Sequence, residues 1–507
     1  MDKVFLEVID ESSNIVIKSR YESINKDNYE QFFTPMSVAN YMSSMFKETK
    51  KNEIKILDPG AGIGNLTAAF IFNVLKWRNK PKKIHATLYE IDYTLISELK
   101  KNLEICMTEC DKNNIKLEVE IINKDFLICT INQLSKIKNK NKYDYIIINP
   151  PYKKMNTDSF HKKLITTIGI DVPNYYAAFV SLSIRLLSKN AQLVFITPRS
   201  FCNGQYFKSF RNDLLKNIKL EKIHHFISRK SIFYDNVLQE IVIFFISKKN
   251  QKNNDNIDIL ESKDNDFSRV LKVRKRFDNI VFPEDQEKII RIIRDDNFEI
   301  VKKMRSLPCS LDDLNINVST GPIVDFREKD GLLSFKDSLF SIPLIYPENF
   351  SNGFIKWPVE GKKAPFLIED KSNTNNLRPQ GFYVLVKRFS TKEETKRIVA
   401  AVYDYKLIST SKVGFDNKTN YYHISKSGLK SEKFAKGLSL YLNSSLVDFY
   451  FRTFSGSTQV NVTDLKSLKY PLYSDIEKLG ETYFGHLPNQ NEIDKIVNRI
   501  IFNTNQE

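Results

Sequence analysis

Cysteine and histidine are scarce in this chain. Its 507 residues include 5 cysteines (Cys106, Cys110, Cys129, Cys202 and Cys309), with no C-x-x-C pair among them. The 6 histidines do not approach them at metal-ligand spacing. No disulfide framework and no metal site is therefore expected, and the thiols read as reduced ones in a cytoplasm. Long apolar runs are missing too. None approaches the roughly 20 residues that cross a bilayer. The first residues, Met1-Asp2-Lys3-Val4-Phe5-Leu6-Glu7, are too acidic and too briefly apolar for a signal peptide, so no membrane partner is expected. No fixed-period repeat is visible. Acidic residues are the minority charge: 77 Lys and Arg against 61 Asp and Glu give a net charge of +16 and a pI near 9.2. Such a surplus favours an acidic partner, most commonly nucleic acid. A solvated lysine-rich surface is the plainer alternative.

What is present is an α/β pattern. Apolar content of 41% and charged content of 27% fit a globular chain, and its length exceeds one ordinary core, so two domains are expected. From about residue 30 to 250, short β-branched runs alternate with amphipathic stretches, the mark of βαβ units and a mostly parallel sheet. Strands are predicted at 54–57, 84–89, 117–122, 143–148, 192–197, 222–227 and 240–247. Helices are predicted at 66–75, 94–105 and 175–187. The stretch 248–266, dense in Asn, Asp and Lys, reads as a linker or loop. It gives domains at 1–250 and 251–507. The second reads as α+β, with helical patterns near 283–295, 392–405 and 432–451.

The most informative feature is Asn149-Pro150-Pro151-Tyr152, directly after the apolar run Tyr143–Ile148. Proline cannot donate to a ladder, so the chain must leave the sheet here. An amide, a peptide carbonyl and an aromatic ring then gather at a strand's C-terminal edge, where open α/β sheets bind ligands. Two acceptors and a ring suit a planar amino group on a π-system. The first strand ends in Asp58-Pro59-Gly60-Ala61-Gly62-Ile63-Gly64. This G-x-G-x-G turn differs from the G-x-G-x-x-G of dinucleotide sites, and no lysine follows to make a phosphate-cradling loop. A tight turn of structural meaning alone could look similar. The second strand ends at Glu90-Ile91, offering a carboxylate to ribose hydroxyls. The third ends at Asp125-Phe126, an acceptor for an adenine amino group beside an apolar wall. Each acid alone reads as a helix cap or loop residue; in sequence they outline a nucleoside pocket without a phosphate site. S-adenosyl-L-methionine, a nucleoside bearing a sulfonium, fits it.

With these motifs in order, the chain resembles the DNA N6-adenine methyltransferases whose cofactor motifs precede NPPY, specifically the BsuBI/PstI-like type II modification methylases. Gln31-Phe32-Phe33-Thr34-Pro35 resembles their F-x-T-P segment, which implies that Thr34 and Pro35 close over the methionine end of the cofactor; a helix start with Thr34 as cap is compatible. Asn174–Phe179 resembles the helix whose phenylalanine packs on the cofactor adenine, pointing to Phe179, which alone would read as core. Ser228–Glu240 resembles the loop that carries a second ring for the target base, pointing to Phe233, with Tyr234 as neighbour. Val318–Arg327 and Ser457–Leu465 resemble segments of the family's target-recognition half, though a strand–turn–helix with Thr463 or Asp464 as cap is equally readable.

The resemblance implies a Rossmann-like S-adenosylmethionine-dependent domain followed by a DNA target-recognition domain. It implies double-stranded DNA as partner, and an accompanying endonuclease or an orphan, host-marking role. The amide oxygen of Asn149 and the carbonyl of Pro150 would accept the N–H bonds of an extruded adenine stacked on Tyr152 and Phe233. Basic residues near the site, Lys153, Lys154, Lys162, Lys163, Arg229 and Lys230, together with Lys272, Arg274, Lys275 and Arg276, could line a DNA path, although any one of them reads as solvated surface. The rival activities are N4-cytosine methylation of DNA and methylation of protein glutamine. A specificity protein with an inactive methylase core is a third reading, opposed by the intact motifs.

Overall fold

The computed structural model describes residues 6–11, 14, 32–135, 142–227, 232–233, 240–292, 298–328, 332–338, 341–361, 363–390, 394–407, 410–455, 458–483 and 485–503. The chain forms two compact units, Met1–Ile292 and Ile293–Glu507.

In the first unit the order is α1 (Met36–Ser44), β1 (Glu53–Asp58), α2 (Asn65–Leu75), β2 (Lys83–Tyr89), α3 (Ile96–Lys112), β3 (Lys116–Ile122), α4 (Phe126–Leu134) and β4 (Tyr143–Ile148). Then follow α5 (Phe160–Thr166), α6 (Tyr175–Leu186), β5 (Leu187–Pro198), α7 (Lys208–Lys216), β6 (Lys219–Phe226), β7 (Ile241–Ser247), β8 (Asn256–Ser262) and β9 (Leu271–Arg276). The nine strands make one sheet in the order β3-β2-β1-β4-β5-β7-β6-β8-β9. β1 to β5 run parallel, while β7 lies antiparallel between β5 and β6. Every residue of β7 is buried. A strand covered on both faces has no alternation of apolar and polar positions, which is why its sequence is a continuous apolar run.

The starts of α4 and α6 are set by short polar side chains. Asn174 accepts from Ala177 N–H at 3.1 Å and opens α6; Asp125 accepts from Ile128 N–H at 3.0 Å and opens α4. Each cap satisfies a donor that the helix itself cannot.

Three expectations need correction. The stretch 248–266 is not a linker, because β8 lies within it and β9 follows, so the expected boundary at 250 falls inside the sheet. Its polar residues are paired across strands. Asp258 on β8 meets Lys272 at 2.8 Å and Arg274 at 2.9 Å on β9, while Ile257 and Ile259 are buried. The pattern at 283–295 is not helical in its described part, 283–292. Ile290 and Arg291 instead donate backbone bonds to Cys202 and Ile280 at 2.8 and 2.9 Å, and the isoleucines are buried from an extended segment. The pattern at 392–405 holds a strand, Ala400–Tyr403, buried throughout. Burial on both faces produced apolar spacing that resembles a helix. The stretch 432–451 is helical but broken into Glu432–Leu442 and Ser445–Phe454. At the break, Asn443 turns its amide to Ala400 O at 2.9 Å.

The second unit combines a six-stranded and a five-stranded sheet with helices gathered towards its C-terminal part. No helix among the described residues is long and apolar enough to cross a membrane. Among those residues, no group of three or more His, Cys, Asp or Glu side chains could hold a metal.

Candidate active site

β1 and β4 are neighbours, with Leu57 beside Ile146, and the strand order reverses between them. That places the ends of both at the switch point where open sheets bind ligands. The glycine turn leaves β1 and NPPY leaves β4. They meet: a Cβ built on Gly60 would lie 3.8 Å from Asn149 O. Gly62 takes φ +55°, a left-handed conformation that glycine adopts without strain. Its N–H donates to Glu90 Oε2 at 2.7 Å. Glu90 Oε1 accepts from Asp92 N–H at 2.8 Å, so the carboxylate is fixed at the end of β2 and is 4% exposed.

A cavity of about 320 Å³ opens along these strand ends, the lower end of the range of small-molecule sites. Of the expected residues its lining contains Thr34, Gly60, Gly62, Glu90, Ile91, Asp125, Phe126, Asn149, Pro150, Pro151, Lys153 and Phe179. Asp58, Pro35, Tyr152, Phe233 and Lys154 are not on it. Asp58 lies beneath the glycine turn, where its Oδ2 accepts from Thr67 at 2.9 Å and its Oδ1 is buried without a partner. Burial pushes its carboxyl up to about 7, against the opposing hydrogen bond from Thr67. Pro35 is the residue before α1.

The orientation of Asn149 is settled by its donors. Nδ2 donates to Phe32 O at 2.8 Å and to Thr34 Oγ1 at 3.0 Å. A backbone carbonyl can only accept, so the amide cannot be flipped. Its Oδ1 is left buried with no hydrogen-bond partner. A buried acceptor without a donor is costly unless a ligand supplies one.

Asp125 does two things at once. Besides capping α4, its Oδ2 lies 3.0 Å from His161 Nε2, and His161 Nδ1 lies 3.0 Å from the Tyr175 hydroxyl. Burial works against the charged form, but the bonds from His161 and from the Ile128 and Leu127 N–H groups outweigh it, and the carboxyl is held below its ordinary range. With Asp125 ionised, Nε2 carries the proton that faces it, and on the neutral ring Nδ1 accepts from Tyr175. His161 and Tyr175 both line the cavity. Sequence reasoning missed them, because His161 stands in no motif and the segment Asn174–Phe179 pointed to Phe179 rather than to Tyr175. Apolar walls come from Phe126 and Phe179, whose ring centroids are 5.1 Å apart.

Tyr152 and Phe233 are both buried, with ring centroids 6.1 Å apart and planes at 71°. A base stacked between two rings needs about 7 Å, two van der Waals intervals. Phe32 closes the cluster, 5.3 Å from Tyr152 and 5.9 Å from Phe233. The two expected stacking rings are thus together but shut, and the third ring, Phe32, was visible in sequence only as part of the F-x-T-P segment.

Lys153 and Lys154 are exposed. Lys162 pairs with Asp171 at 2.5 Å, and Arg276 pairs with Asp278 at 2.5 Å. Arg229, Lys230 and Tyr234 lie outside the described residues.

A mixed sheet with β7 inserted antiparallel, a glycine turn after β1 and an acid after β2 define the S-adenosylmethionine-dependent methyltransferase class of α/β fold. The structure of the type IIL restriction-modification enzyme MmeI, solved in complex with DNA, shares this fold, with a TM-score of 0.54 and 13% identity over 93% of this chain and 73% of that one. Residues 20–233 match the family model described as Eco57I restriction-modification methylase. The type II methyltransferase M.BsuBI of Bacillus subtilis is 40% identical over 94% of this chain and 95% of its own length. M.PstI of Providencia stuartii is 38% identical over 96% of this chain and 97% of its own length. The chain belongs to this BsuBI/PstI-like family of type II modification methyltransferases of restriction-modification systems.

Proposed function

We propose that the chain transfers a methyl group from S-adenosyl-L-methionine to the exocyclic N6 of adenine in duplex DNA, with the first unit catalytic and the second reading the target. The observation that carries this is the unpartnered Asn149 Oδ1, held in place from behind by Phe32 and Thr34. The cavity fits the cofactor's parts: Glu90 for ribose hydroxyls, Phe126 and Phe179 for the adenine faces, Asp125 for its amino group. When bound, S-adenosylmethionine supplies an electrophilic methyl on sulfur.

The chain's own residues do the rest. A base in duplex hides its amino group, so the nucleotide must be extruded at a cost of a few kcal/mol. Phe233 and Phe32 swing apart from Tyr152 to admit it, and stacking returns about 1–3 kcal/mol per base. Asn149 Oδ1 and the Pro150 carbonyl accept the two N–H bonds and turn the nitrogen lone pair towards the methyl; once nitrogen carries it, one of the two N–H protons leaves to water. Both are neutral acceptors facing positive charge that grows on nitrogen, an electrostatic arrangement set before the reaction. The same reading goes with a cytoplasmic location, beside DNA, and with either a cognate endonuclease or an orphan, host-marking role.

The test is nucleoside mass spectrometry of plasmid DNA after incubation with the purified chain and cofactor. N6-methyladenosine in its deoxy form is expected. N4-methylcytosine instead would overturn the base assignment, and no methylated nucleoside would overturn the activity. Asn149→Ala should lower turnover by at least about 10²-fold while S-adenosylhomocysteine binding stays within a few-fold of wild type.

A further inference from the structure

Two segments of the second unit are absorbed by none of the methyl-transfer chemistry: 318–327 and 458–465, the described parts of the segments singled out in sequence. The fold brings them to one place. Strand Thr419–His423 pairs with Asn317–Thr320, with Thr320 opposite Asn420. Asn420 is fully buried and joins both segments: its Oδ1 accepts from Thr320 Oγ1 at 3.0 Å, and its Nδ2 donates to Val460 O at 2.8 Å. A Cβ on Gly321 would come within 2.2 Å of Asp416 O, so only glycine allows this approach. A third loop is tied in. Arg388 N–H donates to Lys418 O at 2.9 Å, and Val460 N–H donates to Arg388 O at 2.7 Å.

From this fixed base two large rings face solvent, Phe326 at 75% exposure and Phe389 at 49%. Each has an arginine over it, Arg327 at 5.6 Å and Arg388 at 5.7 Å from the ring centroid. Lys363 and Lys418 stand beside them on Asp325. Among the described residues neither arginine reaches a carboxylate within 4.0 Å. Exposed aromatic rings interleaved with cations on rigidly tied loops are a poor solvated surface and a good nucleic-acid one. Cations meet phosphates or guanine edges, and rings lie on bases or sugars.

We propose that this edge, presenting Phe326, Arg327, Arg388 and Phe389, is where the second unit reads duplex DNA. The proposal rests on the DNA-methylation reading and names the residues of this unit that contact the duplex. The test uses the full chain with S-adenosylhomocysteine and a labelled duplex carrying the modified sequence mapped from the plasmid experiment, beside a scrambled duplex. Binding is followed by fluorescence anisotropy across a salt series. Arg327→Ala combined with Arg388→Ala, and Phe326→Ala combined with Phe389→Ala, should each weaken binding to the mapped duplex at least about tenfold. Loss on both duplexes with a shallower salt slope assigns the arginines to phosphates. Loss on the mapped duplex alone assigns them to bases. Lys433→Ala, which removes an exposed pair with Glu481, should change neither.

Arg388 also bonds Asn417 O at 3.0 Å, so its removal can loosen the loops. The exposed Arg327→Ala, with an unfolding midpoint matching wild type, then decides alone. Affinities within twofold of wild type for both duplexes would overturn the proposal, as would an equal loss in Lys433→Ala. Wild type that neither binds nor methylates any duplex would instead overturn the parent reading.

Discussion

Asn149 shows what a residue owes to its surroundings. Its place at a strand end was readable from the proline pair after an apolar run. Its orientation was not, because the two acceptors that fix it belong to Phe32 and Thr34, more than a hundred positions earlier. The same division holds at Asp125. Sequence offered a helix cap or an adenine acceptor as alternatives, and the structure gives the cap together with a place on the cavity wall, adding His161 behind it. His161→Ala removes the donor that aims the carboxylate. It should weaken S-adenosylhomocysteine binding by about three- to tenfold in calorimetry, about 0.7–1.4 kcal/mol, the net worth of one ordinary hydrogen bond. Tyr175→Phe keeps the ring and removes only the hydroxyl that bonds His161 Nδ1, so a smaller loss is expected. Equal affinity in all three proteins would remove His161 from the site.

At the scale of elements, α1 is held to the sheet by a polar contact inside an apolar core. The Tyr41 hydroxyl lies 2.7 Å from His224 Nδ1 on β6. His224 Nε2 lies 3.0 Å from Ser262 Oγ on β8, and that hydroxyl donates to Asp264 O at 2.7 Å. The serine proton is therefore committed, Nε2 is the donor, and Nδ1 accepts from Tyr41. Burial lowers the imidazole to about 3. A histidine depressed on folding contributes stability that is present above its unfolded value of 6.5 and lost as pH falls towards 3. Urea unfolding should thus show stability declining by up to about 1.4 kcal/mol per pH unit from this group below pH 6.5. Tyr41→Phe leaves Nδ1 buried without a donor and should cost about 1–3 kcal/mol at pH 7. None of this could be read from sequence, where His224 and Tyr41 are 183 positions apart. Up to residue 247 the strands and the helices expected at 66–75, 94–105 and 175–187 were legible from their period. The shorter helices Phe126–Leu134, Phe160–Thr166 and Lys208–Lys216 were not singled out. Beyond residue 247, cross-strand ion pairs made β8 look like a polar loop, and doubly buried strands imitated helical spacing.

At the scale of the molecule, the boundary at Ile292 separates two choices that composition alone would confuse. A chain ending at residue 250 loses β8 and β9 and uncovers the flank of β6, along with Ile257, Ile280 and Val281 from the core. It should be recovered mainly insoluble. A chain ending at residue 292 keeps the whole sheet and should bind S-adenosylhomocysteine like the full protein; soluble, binding-competent protein from the shorter chain would refute this division. The sheet also has edges, and one of them is β9, beyond which no further strand pairs among the described residues. Any such rim is a template on which a neighbouring molecule can add its own strand and start a fibre. Here the rim is Leu271-Lys272-Val273-Arg274-Lys275-Arg276, so a second copy aligning on it brings like charge against like charge. The basic run that could line a DNA path would also oppose such self-association. With Lys272 and Arg274 both changed to valine, light scattering on concentrated samples should rise with protein concentration while the cofactor still binds.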